Sequence, residues 1–204
     1  MFYLNSPQLK RLNNTFSSSQ TQLKDFYVLS ELGKGAFGKV FKVQYVKTGK
    51  LYALKSLDLL QIEKLKLQEQ LKNEIKILSS CDHINIIKLF CVFQDKKSLN
   101  LVMELGDQSL FKKLQKTNKF QEEQVFELLF DVINALIYLH SRSPKILHRD
   151  IKPENILEVK GVLKIADFGW SNRNIDQRYT YCGTPDYLAP EMITMSGHDE
   201  KLDI

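Results

Sequence analysis

His148-Arg149-Asp150-Ile151-Lys152-Pro153-Glu154-Asn155, followed by Asp167-Phe168-Gly169, is the stretch on which the reading of this chain turns. The first run sits on a loop after a long apolar-faced segment, and the second comes directly after the strand pattern Leu163-Lys164-Ile165. Asn155 and Asp167, near a second acid, Asp150, are oxygen ligands of the kind magnesium takes while keeping part of its water shell. Singly, each is an ordinary surface polar residue. Together and in this order, chance is a poor explanation.

Toward the N-terminus lies Gly33-Lys34-Gly35-Ala36-Phe37-Gly38. A lone G-x-G-x-x-G is a weak signal that fits a dinucleotide site or a tight turn. A dinucleotide fingerprint opens a helix, whereas here Val40-Phe41-Lys42-Val43 continues as a strand and Tyr27-Val28-Leu29 precedes it. A glycine loop between two strands can close over phosphates through backbone N–H groups that no side chain covers. Tyr52-Ala53-Leu54-Lys55 ends a third strand, Leu51 to Lys55, on a lysine, which is ordinarily just solvated. Glu74 changes that estimate. It falls on the apolar stripe of Leu67, Leu71, Ile75 and Leu78, where a carboxylate needs a partner. A Lys55–Glu74 ion pair would satisfy it and hold the amine for phosphate oxygens.

The remaining pattern predicts short strands around Ile86–Phe93 and Leu99–Glu104 and a helix from Glu122 to His140, with Val125, Leu128, Leu129, Val132, Ile133 and Leu136 on one face. Asn155 to Ile165 reads as a hairpin turning at Lys160-Gly161. Residues 1–24, rich in Ser, Asn, Gln and Thr, carry no periodic apolar face and read as a disordered tail. A β-rich first half and a helix-dominated second half predict an α+β fold in two lobes.

With 43% hydrophobic residues the chain can bury a core. A net charge of +5 is mild, and no basic block interleaved with aromatics points to nucleic acid. Cys81, Cys91 and Cys182 have no metal-ligand spacing and, as an odd set, suit a reducing interior. Met1 to Leu4 lacks the basic start and cleavage site of a signal peptide. No apolar run approaches the ~18 residues needed to span a bilayer.

Gly33/Gly35/Gly38, Lys55, Glu74, His148-Arg149-Asp150, Asn155, Asp167-Phe168-Gly169 and Ala189-Pro190-Glu191 resemble, in order and spacing, the protein-kinase signature set over residues 25–204. Lys152, two residues after Asp150, resembles the serine/threonine class. Trp170-Ser171, Tyr181-Cys182-Gly183-Thr184-Pro185 and His198-Asp199-Glu200-Lys201-Leu202-Asp203 resemble Aurora kinases. The resemblance implies a two-lobed protein-kinase-like fold: a complete β-rich N-lobe over 25–104 and a truncated helical C-lobe over 105–204.

It also implies roles. Lys55 would hold the α- and β-phosphates of ATP, Glu74 would position it, and Asn155 and Asp167 would bind Mg2+. Asp150 would orient the substrate hydroxyl and accept its proton, Lys152 would steady the γ-phosphate, and Thr184 would fix the local geometry. Glu104 and Gly106 would offer backbone groups to adenine, Met103 would be the gatekeeper, and Val40, Ala53 and Leu157 would sandwich the ring. Thr180 resembles the activation-loop phosphosite, with Arg149 and Arg178 as its cationic partners. Asn73 departs from the family, which usually has an arginine there, and this predicts a weaker response to phosphorylation.

The expected partners are protein substrates with basic residues before Ser/Thr, read by Glu154, and an activating scaffold protein. Neither nucleic acid nor membrane is expected. The implied location is intracellular, with spindle, centrosome or chromosome association by resemblance. Asp203 is expected to anchor the backbone of His148-Arg149, and the 125–136 face is expected to lack part of its cover. The alternatives to an active kinase are a non-catalytic ATP-binding fragment and an inactive truncated product.

Overall fold

The computed structural model describes Phe16 and residues 21–35, 38–171, 183–194, 197 and 199–204. These group into two compact units: the first takes in the chain up to Lys72, Leu78–Ser80 and Lys88–Leu105, and the second takes in Asn73–Ile77, Cys81–Ile87 and everything from Gly106.

The first unit is built on a five-stranded sheet of β1 (Phe26–Gly35), β2 (Gly38–Tyr45), β3 (Leu51–Asp58), β4 (Leu89–Gln94) and β5 (Ser98–Met103), in the order β1-β2-β3-β5-β4. Every neighbouring pair is antiparallel. The strand–glycine–strand reading therefore holds, with β1 running further into the glycine stretch than the apolar pattern reaches, but β3 continues past Lys55 to Asp58, so that lysine lies within the strand and not at its end. A short helix, α1 (Leu59–Lys64), follows β3 and is capped by Asp58, whose side chain accepts from the Leu60 and Gln61 N–H groups. Six residues are too few for periodicity to announce. The β4–β5 turn is held by Asp95, whose carboxylate accepts from the Lys97 and Ser98 N–H groups, the Ser98 hydroxyl and the Asn100 amide.

Phe16 belongs to the core of this unit. It is 8% exposed and joins Phe26, Val43, Tyr45, Tyr52, Leu54, Cys91, Phe93 and Val102 in one cluster. Its ring centroid lies 4.8 Å from that of Tyr45 and 5.3 Å from that of Tyr52, within the range of favourable aromatic pairs. The reading of residues 1–24 as a disordered tail does not extend to Phe16, nor to residues 21–24, where Thr21 is buried and Leu23–Asp25 forms a 3-10 turn closed by Gln22 and Asp25. A single anchoring aromatic has no period for sequence patterning to detect.

In the second unit, α3 (Leu110–Thr117) and α4 (Glu122–His140) accompany a small sheet, β6 (Gln108–Ser109), β7 (Ile156–Val159) and β8 (Val162–Ile165), in the order β6-β7-β8. The β7–β8 turn falls at Lys160-Gly161, both with positive φ (51° and 83°), as a tight two-residue hairpin needs. Ile86 forms a parallel bridge to Ile165.

The helix expected over 122–140 is present as α4, but its faces differ from the expectation. Val132, Ala135, Leu136 and Leu139 are buried, whereas Val125, Leu129 and Ile133 are exposed along with Phe126, Phe130 and Ile137. The helix is apolar on nearly all sides, so its buried stripe is chosen by its neighbours and not by its own pattern. The helix α2 (Gln68–Ser80) buries Leu71, Ile75 and Leu78 as its stripe predicts, and Ile77 besides.

Candidate functional site

In the first unit, strand register gathers the residues expected around a nucleotide. Val40 lies opposite Lys55 on the β2–β3 ladder, and Ala53 lies opposite Met103 on the β3–β5 ladder. Directly opposed residues share a face, as do residues two apart, so Val40, Ala53, Lys55 and Met103 project from one side of the sheet. Gly38 is required by packing, since a Cβ there would stand 2.1 Å from the Ser56 carbonyl oxygen. No such reason applies at Gly33 or Gly35. A Cβ at Gly33 would meet nothing within 4 Å, and one at Gly35 only the Gly38 carbonyl oxygen at 3.8 Å. Glycine there leaves bare backbone facing open space, as close approach by phosphate oxygens needs. The Glu104 N–H donates to the Lys88 carbonyl at 2.9 Å.

In the second unit, Asp150 is the centre of a closed network and is 6% exposed. Its Oδ1 accepts from the Thr184 hydroxyl at 2.7 Å and the Thr184 N–H at 3.1 Å. Its Oδ2 accepts from the Asn155 amide at 2.8 Å and lies 3.0 Å from Lys152 Nζ. The Asn155 amide also donates to the Asp150 carbonyl at 2.9 Å, and Lys152 Nζ donates to the Thr184 hydroxyl oxygen. The four residues expected to carry catalysis are thus brought together. Thr184 reaches Asp150 because Gly183, at φ 103°, lets the chain pass close to Arg149, where a Cβ would fall 2.7 Å from the Arg149 carbonyl oxygen.

The loop that carries Asp150 and the turn after β8 are both strained and held. Arg149 (φ 69°) in the first and Asp167 (φ 58°) in the second adopt the left-handed conformation without being glycine, a cost of about 1–3 kcal/mol each. Asp203, 5% exposed, accepts from the His148 N–H at 2.9 Å and the Arg149 N–H at 2.7 Å, the anchoring its position in the sequence predicts. His140 Nε2 also lies 2.9 Å from Asp203 Oδ2, a contact across 63 residues that no local signal announces.

His148 Nε2 donates to the Ala166 carbonyl at 3.1 Å, and its Nδ1 accepts from the Asp150 N–H at 3.3 Å. That pairing fits a neutral imidazole protonated on Nε2. Burial pushes its pKa below the usual 6.5, outweighing the nearby Asp203, Asp167 and Asp150 carboxylates and the Ala166 carbonyl.

Asn155 is buried, and with its amide nitrogen turned to Asp150 its carbonyl oxygen is the atom that can meet a cation. With Asp167 it offers two hard oxygen donors, a set that suits magnesium completed by water and phosphate oxygens. Among the described residues no group of three or more His, Cys, Asp or Glu side chains could hold a metal by itself. Glu74 is buried at 6% exposure, its Oε2 3.7 Å from where a Cβ on Gly169 would stand. Leu157 packs on Gly106, where an added Cβ would sit 3.1 Å from its side chain. Thr180, Arg178 and Cys182 lie outside the described residues.

The family model for the protein kinase domain matches residues 26–204. An Aurora kinase of Candida glabrata is 41% identical over 204 residues, covering 98% of this chain and 56% of that protein. The Aurora kinase of Schizosaccharomyces pombe is 40% identical, covering 92% and 55%, and Aurora kinase B-A of Xenopus laevis is 43% identical, covering 89% and 51%. The chain therefore spans about half the length of the curated relatives it matches. With its network around Asp150 and a family match over nearly the whole chain beyond the first 25 residues, this protein belongs to the protein kinase domain family.

Proposed function

We propose that this protein is an Aurora-like serine/threonine kinase that transfers the ATP γ-phosphate to Ser/Thr hydroxyls, in contexts with basic residues before the acceptor. The observation that carries the reading is the Asp150 carboxylate, fixed by Thr184, Asn155 and Lys152. A buried carboxylate held on both oxygens is pre-aimed and needs no reorganisation to receive a substrate hydroxyl. Asp150 would orient that hydroxyl and take its proton as phosphate is transferred. The Lys152 ammonium, which contacts both Asp150 and Thr184, would neutralise negative charge on the transferring group. Lys55, supported by Glu74, would hold the phosphates, and Val40, Ala53 and Leu157 would contact the adenine. Bound to Asn155 and Asp167, Mg2+ would supply positive charge to the phosphates.

Phosphorylation of Thr180 would be the activating modification, and an uncharged Asn73 would make the response to it weaker than an arginine there would. Glu154, exposed on the loop after Lys152, would read an arginine before the acceptor. Among the described residues no helix is long and apolar enough to cross a membrane. An intracellular site of action, with spindle, centrosome or chromosome association and a scaffold partner, follows from the resemblance to Aurora kinases.

The test is phosphorylation of an Arg-x-Ser/Thr peptide by the protein purified from its own cells, beside an Asp150→Asn variant. Loss of at least about 100-fold in rate with Mg·ATP binding retained is expected. Mg·ATP binding without any transfer by the unaltered protein would instead establish a non-catalytic nucleotide-binding module.

A further inference from the structure

Asn73, on α2, sits one residue before Glu74 and plays no part in the network around Asp150. Its side-chain amide donates a 3.0 Å hydrogen bond to the Ser171 carbonyl, 98 residues away. Ser171 is 5% exposed and closes a compact turn after Asp167-Phe168-Gly169: its N–H donates to the Phe168 carbonyl at 3.0 Å and its hydroxyl to the His148 carbonyl at 3.3 Å. Phe168, 1% exposed, packs edge-on against His148 at 4.9 Å. The turn is therefore fastened to the His148 loop by Ser171 and Phe168, and to α2 by Asn73.

We propose that Asn73 is a positioning residue that sets the placement of Asp167 through this turn. Asp167 holds a left-handed backbone at φ 58°, a conformation that persists only where its surroundings enforce it. The residues following it are fixed on two sides, and α2 meets them at two successive positions, Asn73 through Ser171 and Glu74 beside Gly169. The tie is a neutral amide–carbonyl bond. It needs no charged partner and is insensitive to salt and to the protonation of neighbouring groups, unlike an ion pair at the same point. Its consequence for phosphate transfer rests on the assignment of Asp167 as a magnesium ligand.

Amide hydrogen exchange over residues 167–171 tests the proposal without relying on catalysis. Asn73→Ala and Asn73→Asp each remove the donor, and Asn73→Asp also sets a carboxylate against the Ser171 carbonyl. Exchange should rise about five-fold in Asn73→Ala, the equilibrium factor for one hydrogen bond, and further in Asn73→Asp, while the sheet of the first unit stays unchanged. Asn73→Gln keeps a donor and should restore part of the protection. In the active protein, the magnesium concentration for half-maximal rate should rise in the same order while the KM for peptide stays constant.

Unchanged exchange in Asn73→Ala overturns the proposal, as does equal loss in Asn73→Gln and Asn73→Asp, which would make donor chemistry irrelevant. If the exchange pattern holds but no phosphate is transferred, the kinase reading fails and the assignment of the tie stands.

Discussion

Phe16→Ala is the perturbation that most directly asks whether the N-terminal segment is part of the fold. The ring is 8% exposed and contacts the rings of Tyr45 and Tyr52 at 4.8 and 5.3 Å, with Phe26 at 6.1 Å and Phe90 at 6.5 Å. Truncating a fully enclosed phenylalanine costs about 3–5 kcal/mol. Here the gain is offset by the entropy of tethering the segment, about 1–2 kcal/mol for each residue whose backbone is fixed. A net loss of about 2 kcal/mol remains, or roughly 4–8 °C in Tm for a chain of this length.

Thermal unfolding of the wild type, Phe16→Leu, Phe16→Ala and a deletion of residues 1–20 reads this out. Phe16→Leu keeps most of the apolar burial and loses only the ring pairs, so it should fall between the wild type and Phe16→Ala. The deletion should match Phe16→Ala if the anchor acts through that one ring. A Phe16→Ala protein melting within about 1 °C of wild type, well inside the shift estimated above, would refute the reasoning and return the whole segment to a passive tail.

Asp203→Ala strips the acceptor from the His148 and Arg149 N–H groups and should destabilise the protein by about 3 kcal/mol or more, with Asp203→Asn less damaging; melting curves decide. Thr184→Val removes the hydroxyl that donates to Asp150, and turnover should fall about 10- to 100-fold with Mg·ATP affinity unchanged in a binding titration. Burial depresses the His148 pKa below 6.5, so the unfolded chain takes up a proton that the folded chain refuses, and stability is lost as pH falls below that value. His148→Gln should flatten the fall in Tm between about pH 7.5 and about pH 5.5, and an unaltered slope would count against the assignment. The exposed Phe126, Phe130, Ile133 and Ile137 side of α4 should make the 204-residue chain bind a hydrophobic dye and self-associate in sedimentation, with Phe130→Lys reducing both.

The architecture was legible where periodicity and turn chemistry are local. The β1–β2 glycine hairpin, the ends of α4 and the Lys160-Gly161 turn each follow from residues that lie side by side in the chain. The residue types of the site were legible too, because Asp150, Lys152, Asn155 and Asp167 sit in two short runs whose chemistry is specific only in combination. Which side of α4 is buried was not legible, since an almost uniformly apolar helix leaves that choice to its neighbours.

What the amino-acid sequence determined alone is the inventory: a glycine-rich turn between strands, a lysine on the third strand, and a carboxylate with further oxygen donors near it, in a family-specific order. Tertiary structure decided the fastening. His140 meets Asp203, Asn73 captures Ser171 and Phe16 enters the aromatic core, each across a span of sequence that local patterning does not read. Hydrogen-bond donors and a single buried ring carry no period, so their partners become known only when the chain has folded around them.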